Sequence, residues 1–112
     1  MIKVKWDLSE AVVLLDVLLE NWGLTSVQEE RLQELSEMYK RKATEAGILF
    51  DEKYRNLAGL KMQLACLQYI VTEGKEGMPN AGKIFREAYD LFQRDPEAFK
   101  LIKSEFYSKY SN

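Results

Sequence analysis

Apolar residues recur along this chain at spacings of three and four, the period of helices that bury one face. The stretch "WDLSEAVVLLDVLLENW" predicts the first helix, with Leu8, Ala11, Val12, Leu15, Leu18, Leu19 and Trp22 as its apolar face. Asp7 is the expected N-cap, and Glu10 three residues later closes a capping box. Glu10, Asp16 and Glu20 are expected at the wet edge of that face, and Gly23 at its end. Thr25 or Ser26 caps a second helix running to about Ala46, with Gly47 as its C-terminal cap. Its stripe is Leu32, Leu35, Tyr39, Ala43 and Ala46.

A third helix is predicted from Leu57, Leu60, Leu64, Leu67 and Val71, thickened by Met62, Cys66 and Ile70, so that it reads as central and buried on more than one side. "TEGKEGMPNAGK" is a loop by its glycines and Pro79. Ile84, Phe85, Ala88, Leu91 and Phe92 mark a fourth helix. Asp95 and Pro96 supply the cap and first-turn proline of a fifth, which carries Phe99, Ile102, Phe106 and Tyr110. Strand-like alternation occurs only at "IKVKW". The expected fold is all-α, a compact bundle of about five helices around one core, with residues 1–112 forming a single domain.

Composition agrees with that picture. The chain of 112 residues is 46% apolar and 30% charged, as ordinary globular domains are, and a chain of this length buries roughly 65% of its unfolded surface. The lone Cys66 has no partner for an internal disulfide, which makes a reducing cytoplasm the expected location. No charged start followed by an apolar run suggests a secretory signal. The longest apolar run, "AVVLLDVLL", is interrupted by Asp16 and is too short to span a membrane.

Charge is distributed unevenly. The net charge is −2, yet residues 1–39 hold three basic and eight acidic side chains, whereas residues 40–61 hold six basic and three acidic ones. The basic segment contains Lys40, Arg41, Lys42, Lys53, Arg55 and Lys61. Phosphate neutralisation drives non-specific nucleic-acid affinity, so an acidic protein binds DNA only through a local patch such as this one. The plainer reading of Lys40–Arg41–Lys42 is a solvated run that complements the C-terminal end of its helix dipole.

Candidate chemistry is sparse. "GMPNAGK" satisfies the front of a P-loop, but Ile84 stands where Ser or Thr would hold magnesium, and the loop follows a helix pattern instead of a buried strand. The chain contains no His, which removes the commonest general base and metal ligand and any HNH-type nuclease centre. Cys66 sits on an apolar stripe and reads as a small core residue. No catalytic residue, metal ligand or cofactor is expected. In "YRNLAGLKMQL", Asn56 caps the third helix through the amide of Ala58 or Gly59, with Arg55 alongside. That start is either a phosphate site or a cap in which Gly59 allows close packing and Arg55 pairs with an acidic residue.

These residues carry a resemblance. A Trp with an acidic, leucine-rich first helix ("WDLSEAVVLLDVLL"), a Leu35–Ser36 element, and an aromatic-Arg-Asn-x-x-Gly-x-x-x-x-Leu signature matched by Tyr54, Arg55, Asn56, Gly59 and Leu64 are followed by a loop and two further helices, Phe85 to Phe106. Over residues 6–106 the sequence resembles the helical module at the N-terminus of HNH-type and other restriction-like endonucleases and of related bacterial proteins. The resemblance implies a non-catalytic accessory domain in a bacterial restriction or defence system, DNA-binding or targeting, whose partner is a fused or separate effector such as a nuclease. It implies Arg55 and Asn56 as DNA contacts; on the residues themselves, Lys40, Arg41, Lys42, Lys53 and Lys61 would widen that anion site. No nuclease domain follows, so the chain is either the N-terminal piece of a longer protein or a free-standing relative. The alternative is a helical protein-interaction domain or homodimer, using the acidic face of residues 7–37 or aromatics such as Trp22, Tyr107 and Tyr110.

Overall fold

A computed structural model describes residues 4–20, 29–79 and 82–111. It contains α1 (Leu8–Glu20), α2 (Glu29–Glu45), α3 (Leu57–Val71), α4 (Lys83–Arg94) and α5 (Pro96–Tyr110). The ends of α1 and α2 expected at Trp22, Gly23 and Thr25 or Ser26 lie outside the described residues, as does Asn80. Residues 4–6 of the alternating "IKVKW" form no strand.

The helices are arranged as a ring around an axle. Helix α1 packs against each of the other four, and α2, α3, α4 and α5 close a ring about it, each touching its two neighbours in the ring. The cause is visible in the α1 sequence. Ala11 through Leu15, Val17 and Leu18 are all buried, a run that is apolar around the whole circumference, and such a helix is stable only when covered on every side. This corrects two expectations. The axle is α1 and not α3, whose Met62 is 54% exposed. Glu10 and Asp16 are buried, because the edge of α1 that a single apolar stripe would leave wet is roofed by the ring.

Local signals set the helix ends as expected. The Asp7 carboxylate accepts the Glu10 amide at 2.9 Å, and the Glu10 carboxylate accepts the Asp7 amide at 3.0 Å, completing the capping box. Asn56 accepts the Gly59 amide at 2.9 Å. Asp95 closes α4 with its amide and caps α5 with its side chain, so one residue separates the two helices. Gly77 lies where no other residue fits. Its φ is +88°, and a Cβ there would stand 2.1 Å from the Ala65 carbonyl oxygen and 2.7 Å from the Tyr69 nitrogen. The α3–α4 loop is thereby pressed onto the backbone of α3, where the Met78 amide donates to the Ala65 carbonyl at 3.0 Å.

Candidate functional site

The signature residues converge on a buried ionic hub. Arg55 lies between two aromatic rings, its guanidinium carbon 4.1 Å from the Trp6 ring centre and 4.6 Å from that of Tyr54. It donates from Nε to Glu10 Oε2 at 3.3 Å and from a terminal nitrogen to the Lys5 carbonyl at 3.3 Å. The side chains of Arg55 and Glu10 are 8% and 2% exposed. Tyr39 donates its hydroxyl to the Glu10 carbonyl at 2.8 Å, and Ser36 donates to the Arg55 carbonyl at 2.6 Å. Arg55 has a φ of +46°, uncommon for a residue with a side chain, and the surrounding bonds hold it there.

The hub continues through the capping box to α2. Lys42 reaches Asp7 at 2.6 Å. Burial raises the Asp7 carboxyl, but Lys42, the Glu10 amide and Ser9 outweigh it and hold the group below its ordinary range. Burial pushes the Tyr39 hydroxyl well above its ordinary value, and the Glu10 charge adds to that. Every buried polar side-chain atom among the described residues has a partner.

A second polar cluster fastens α5 to the axle. Asp16 accepts from Lys103 at 2.8 Å and from the Tyr107 hydroxyl at 2.8 Å, and Arg31 donates to the Tyr107 oxygen at 3.2 Å and to Glu20 at 3.3 Å. Burial, then Asp16, drives the Tyr107 hydroxyl far above its ordinary range. Tyr107 and Tyr110 are accordingly half-buried against the core, and their rings are not free on the surface.

These contacts determine what the basic segment presents. Arg55 and Lys42 are held by Glu10 and Asp7, and Lys61 reaches Glu29 at 2.6 Å. Arg41 donates to the Tyr110 carbonyl at the end of α5. Asn56 is occupied as a cap, so the start of α3 already has an acceptor within the chain. Lys40 and Lys53 have no ion pair among the described residues. The excess of cations in residues 40–61 is thus cancelled by carboxylates of residues 7–29, leaving Lys40, Arg41 and Lys53 against Glu45, Asp51 and Glu52. Sequence reasoning missed Trp6 and Glu10 as partners of Arg55. The capping-box position marked Glu10, but nothing local links it to a residue 45 positions on.

The remaining motifs resolve into structure. Gly82 is the N-cap residue of α4, Lys83 beside it points to solvent near Glu87, and the element that precedes "GMPNAGK" is the helix α3 where a P-loop would follow a strand. Burial raises the Cys66 thiol, which disfavours its reactive thiolate. Among the described residues no group of three or more Cys, Asp or Glu is placed to hold a metal ion, and no helix is long and apolar enough to cross a membrane. Comparison with protein-family models, with curated proteins and with solved structures finds no match.

Proposed function

We propose that this chain is a non-catalytic helical accessory module that works through protein–protein contact, in the restriction- or defence-type setting that its sequence resemblance implies. Its effector, such as a nuclease, is fused to it or separate from it. One observation carries the choice of protein over DNA as the contacted partner. Three of the cations that would grip phosphates, Lys42, Arg55 and Lys61, are paired with Asp7, Glu10 and Glu29 of the same chain, and what remains of the basic segment is balanced by Glu45, Asp51 and Glu52. Removing Arg55 from Glu10 to serve a phosphate would leave a buried carboxylate unpaired, at a cost of several kcal/mol. The Tyr54–Arg55–Asn56 signature then positions α3 against α1, and the surface around it is left for a partner.

A fluorescence-anisotropy titration against short duplex and single-stranded DNA at two salt concentrations tests this. The variant set off against wild type is Lys40→Ala with Lys53→Ala, since both lysines are without an ion pair among the described residues and their loss should leave the fold intact. No salt-sensitive binding is expected from either protein. Tight binding that falls steeply with salt and is weakened by the double variant would overturn the proposal in favour of direct DNA contact.

A further inference from the structure

The α2–α3 connection is held firmly at both ends while its tip projects. Gly47 at φ +73° ends α2 in a Schellman arrangement, with the Ile48 amide on the Ala43 carbonyl at 2.9 Å and the Gly47 amide on Thr44 at 3.1 Å. On the far side Asp51 accepts the Lys53 amide at 2.9 Å, and the Phe50 and Tyr54 rings stand 5.1 Å apart, Tyr54 itself lying against Arg55. Between these fixed points Leu49 is 93% exposed. A single exposed leucine is ordinary. A leucine on a loop pinned this way, with little conformational freedom left to lose, is pre-organised to enter a pocket. Asp51 and Glu52 outnumber Lys53 around it and make the tip acidic.

A fitting pocket lies on the same end of α2. An open recess of about 500 Å³ between the C-terminal half of α2 and the end of α5 is lined by Lys40, Arg41, Lys109 and Tyr110 together with the carboxylates of Glu37 and Glu45. Cations outnumber carboxylates there, and Glu45 lies four residues before Leu49. We infer that the occupant of this recess is the Leu49 tip of a second copy of this chain. The two copies exchange tips about a two-fold axis, with Asp51 and Glu52 of each facing Lys40 and Lys109 of the other. The tip adjoins the recess through Glu45, and the opposite charge of the two makes this stretch of surface complementary to a second copy of itself, as a two-fold dimer requires. The inference rests on the reading of this chain as a protein-contact module, and it names the contact.

Sedimentation equilibrium of the full chain tests it. A small interface of this kind is expected to associate weakly, so the titration runs from roughly 10 μM to 1 mM at low and high salt. The expected result is a monomer–dimer equilibrium weakened by salt. Leu49→Ala raises the dissociation constant at least about tenfold by removing apolar contact on both sides of the axis. Lys109→Glu and Glu52→Lys each weaken the dimer, and their combination restores it. Leu49, Glu52 and Lys109 are exposed and unpaired among the described residues, so circular dichroism should show all these variants folded. A monomer throughout, a dimer indifferent to Leu49→Ala, or a double variant weaker than both single ones overturns the inference. A monomer that binds no DNA leaves the protein-contact reading intact with another partner, whereas DNA binding in the anisotropy titration overturns that reading itself.

Discussion

Replacing Arg55 by Met tests the claim that the signature arginine is a structural residue. The substitution keeps a long, mainly apolar side chain between Trp6 and Tyr54 but removes the charge facing Glu10. Glu10 is 2% exposed, so its carboxylate would be left among apolar neighbours with only the Asp7 amide as donor. Breaking a buried pair in this way costs about 3–5 kcal/mol. The lost cation–π contacts add to this by about 0.5–2 kcal/mol, partly recovered through methionine packing. Strain at φ +46° is unchanged, since methionine meets the same backbone restriction as arginine. Against a total stability of roughly 5–15 kcal/mol, Arg55→Met should leave a marginal protein. Urea unfolding followed by circular dichroism measures the loss. Glu10→Gln with Arg55→Met completes the cycle, and the pair should cost less than the two single changes added together, because neither charge is then left alone. A loss below about 1 kcal/mol for Arg55→Met would refute the reasoning and return Arg55 to the candidates for ligand contact.

Two further outcomes follow from the same geometry. Gly77→Ala drives a Cβ into the α3 backbone, at the Ala65 carbonyl and the Tyr69 amide, and also forces a side chain into positive φ. It should lower stability by about 2 kcal/mol or more in thermal unfolding, and wild-type stability would show that the loop does not press on α3 as described. Tyr39 and Tyr107 ionise above their ordinary value of 10.0 in the folded protein, through burial first and then the Glu10 and Asp16 charges. Their contribution to stability is complete below the unfolded value and is lost as pH rises past it towards the folded values. Tyrosinate absorbance of these residues should therefore appear together with alkaline unfolding. Full ionisation of every tyrosine in a still-folded protein would contradict the burial.

The sequence shows some features of this molecule openly and hides others. Asp7 with Glu10, Gly47, Asn56, and Asp95 with Pro96 were legible as helix ends because capping is local, decided within a few residues by backbone amides and short polar side chains. The central place of α1 was available in the run "AVVLLDVLL", which is too apolar for a helix with a solvent face, although periodicity favoured α3. The fate of the basic segment was hidden. Charge counting places Arg55 and Lys42 with their sequence neighbours, while the fold places them with Glu10 and Asp7, far back along the chain. The same gap separates Asp16 from Lys103 and Tyr107, 87 and 91 residues apart. Ion pairs of that range depend on how helices pack, and no short motif encodes them.

The ring around α1 has a consequence for how the protein is made. The axle is synthesised before every helix that covers it, and α5, which completes the cover, is synthesised after the other three. At about 5–20 residues per second, the roughly 90 residues between the two take on the order of 5–20 s to emerge. For that interval the most apolar helix of the chain has no finished enclosure. The nascent chain is therefore a natural client for whatever shields apolar segments at the ribosome, and the ring closes only once α5 has emerged.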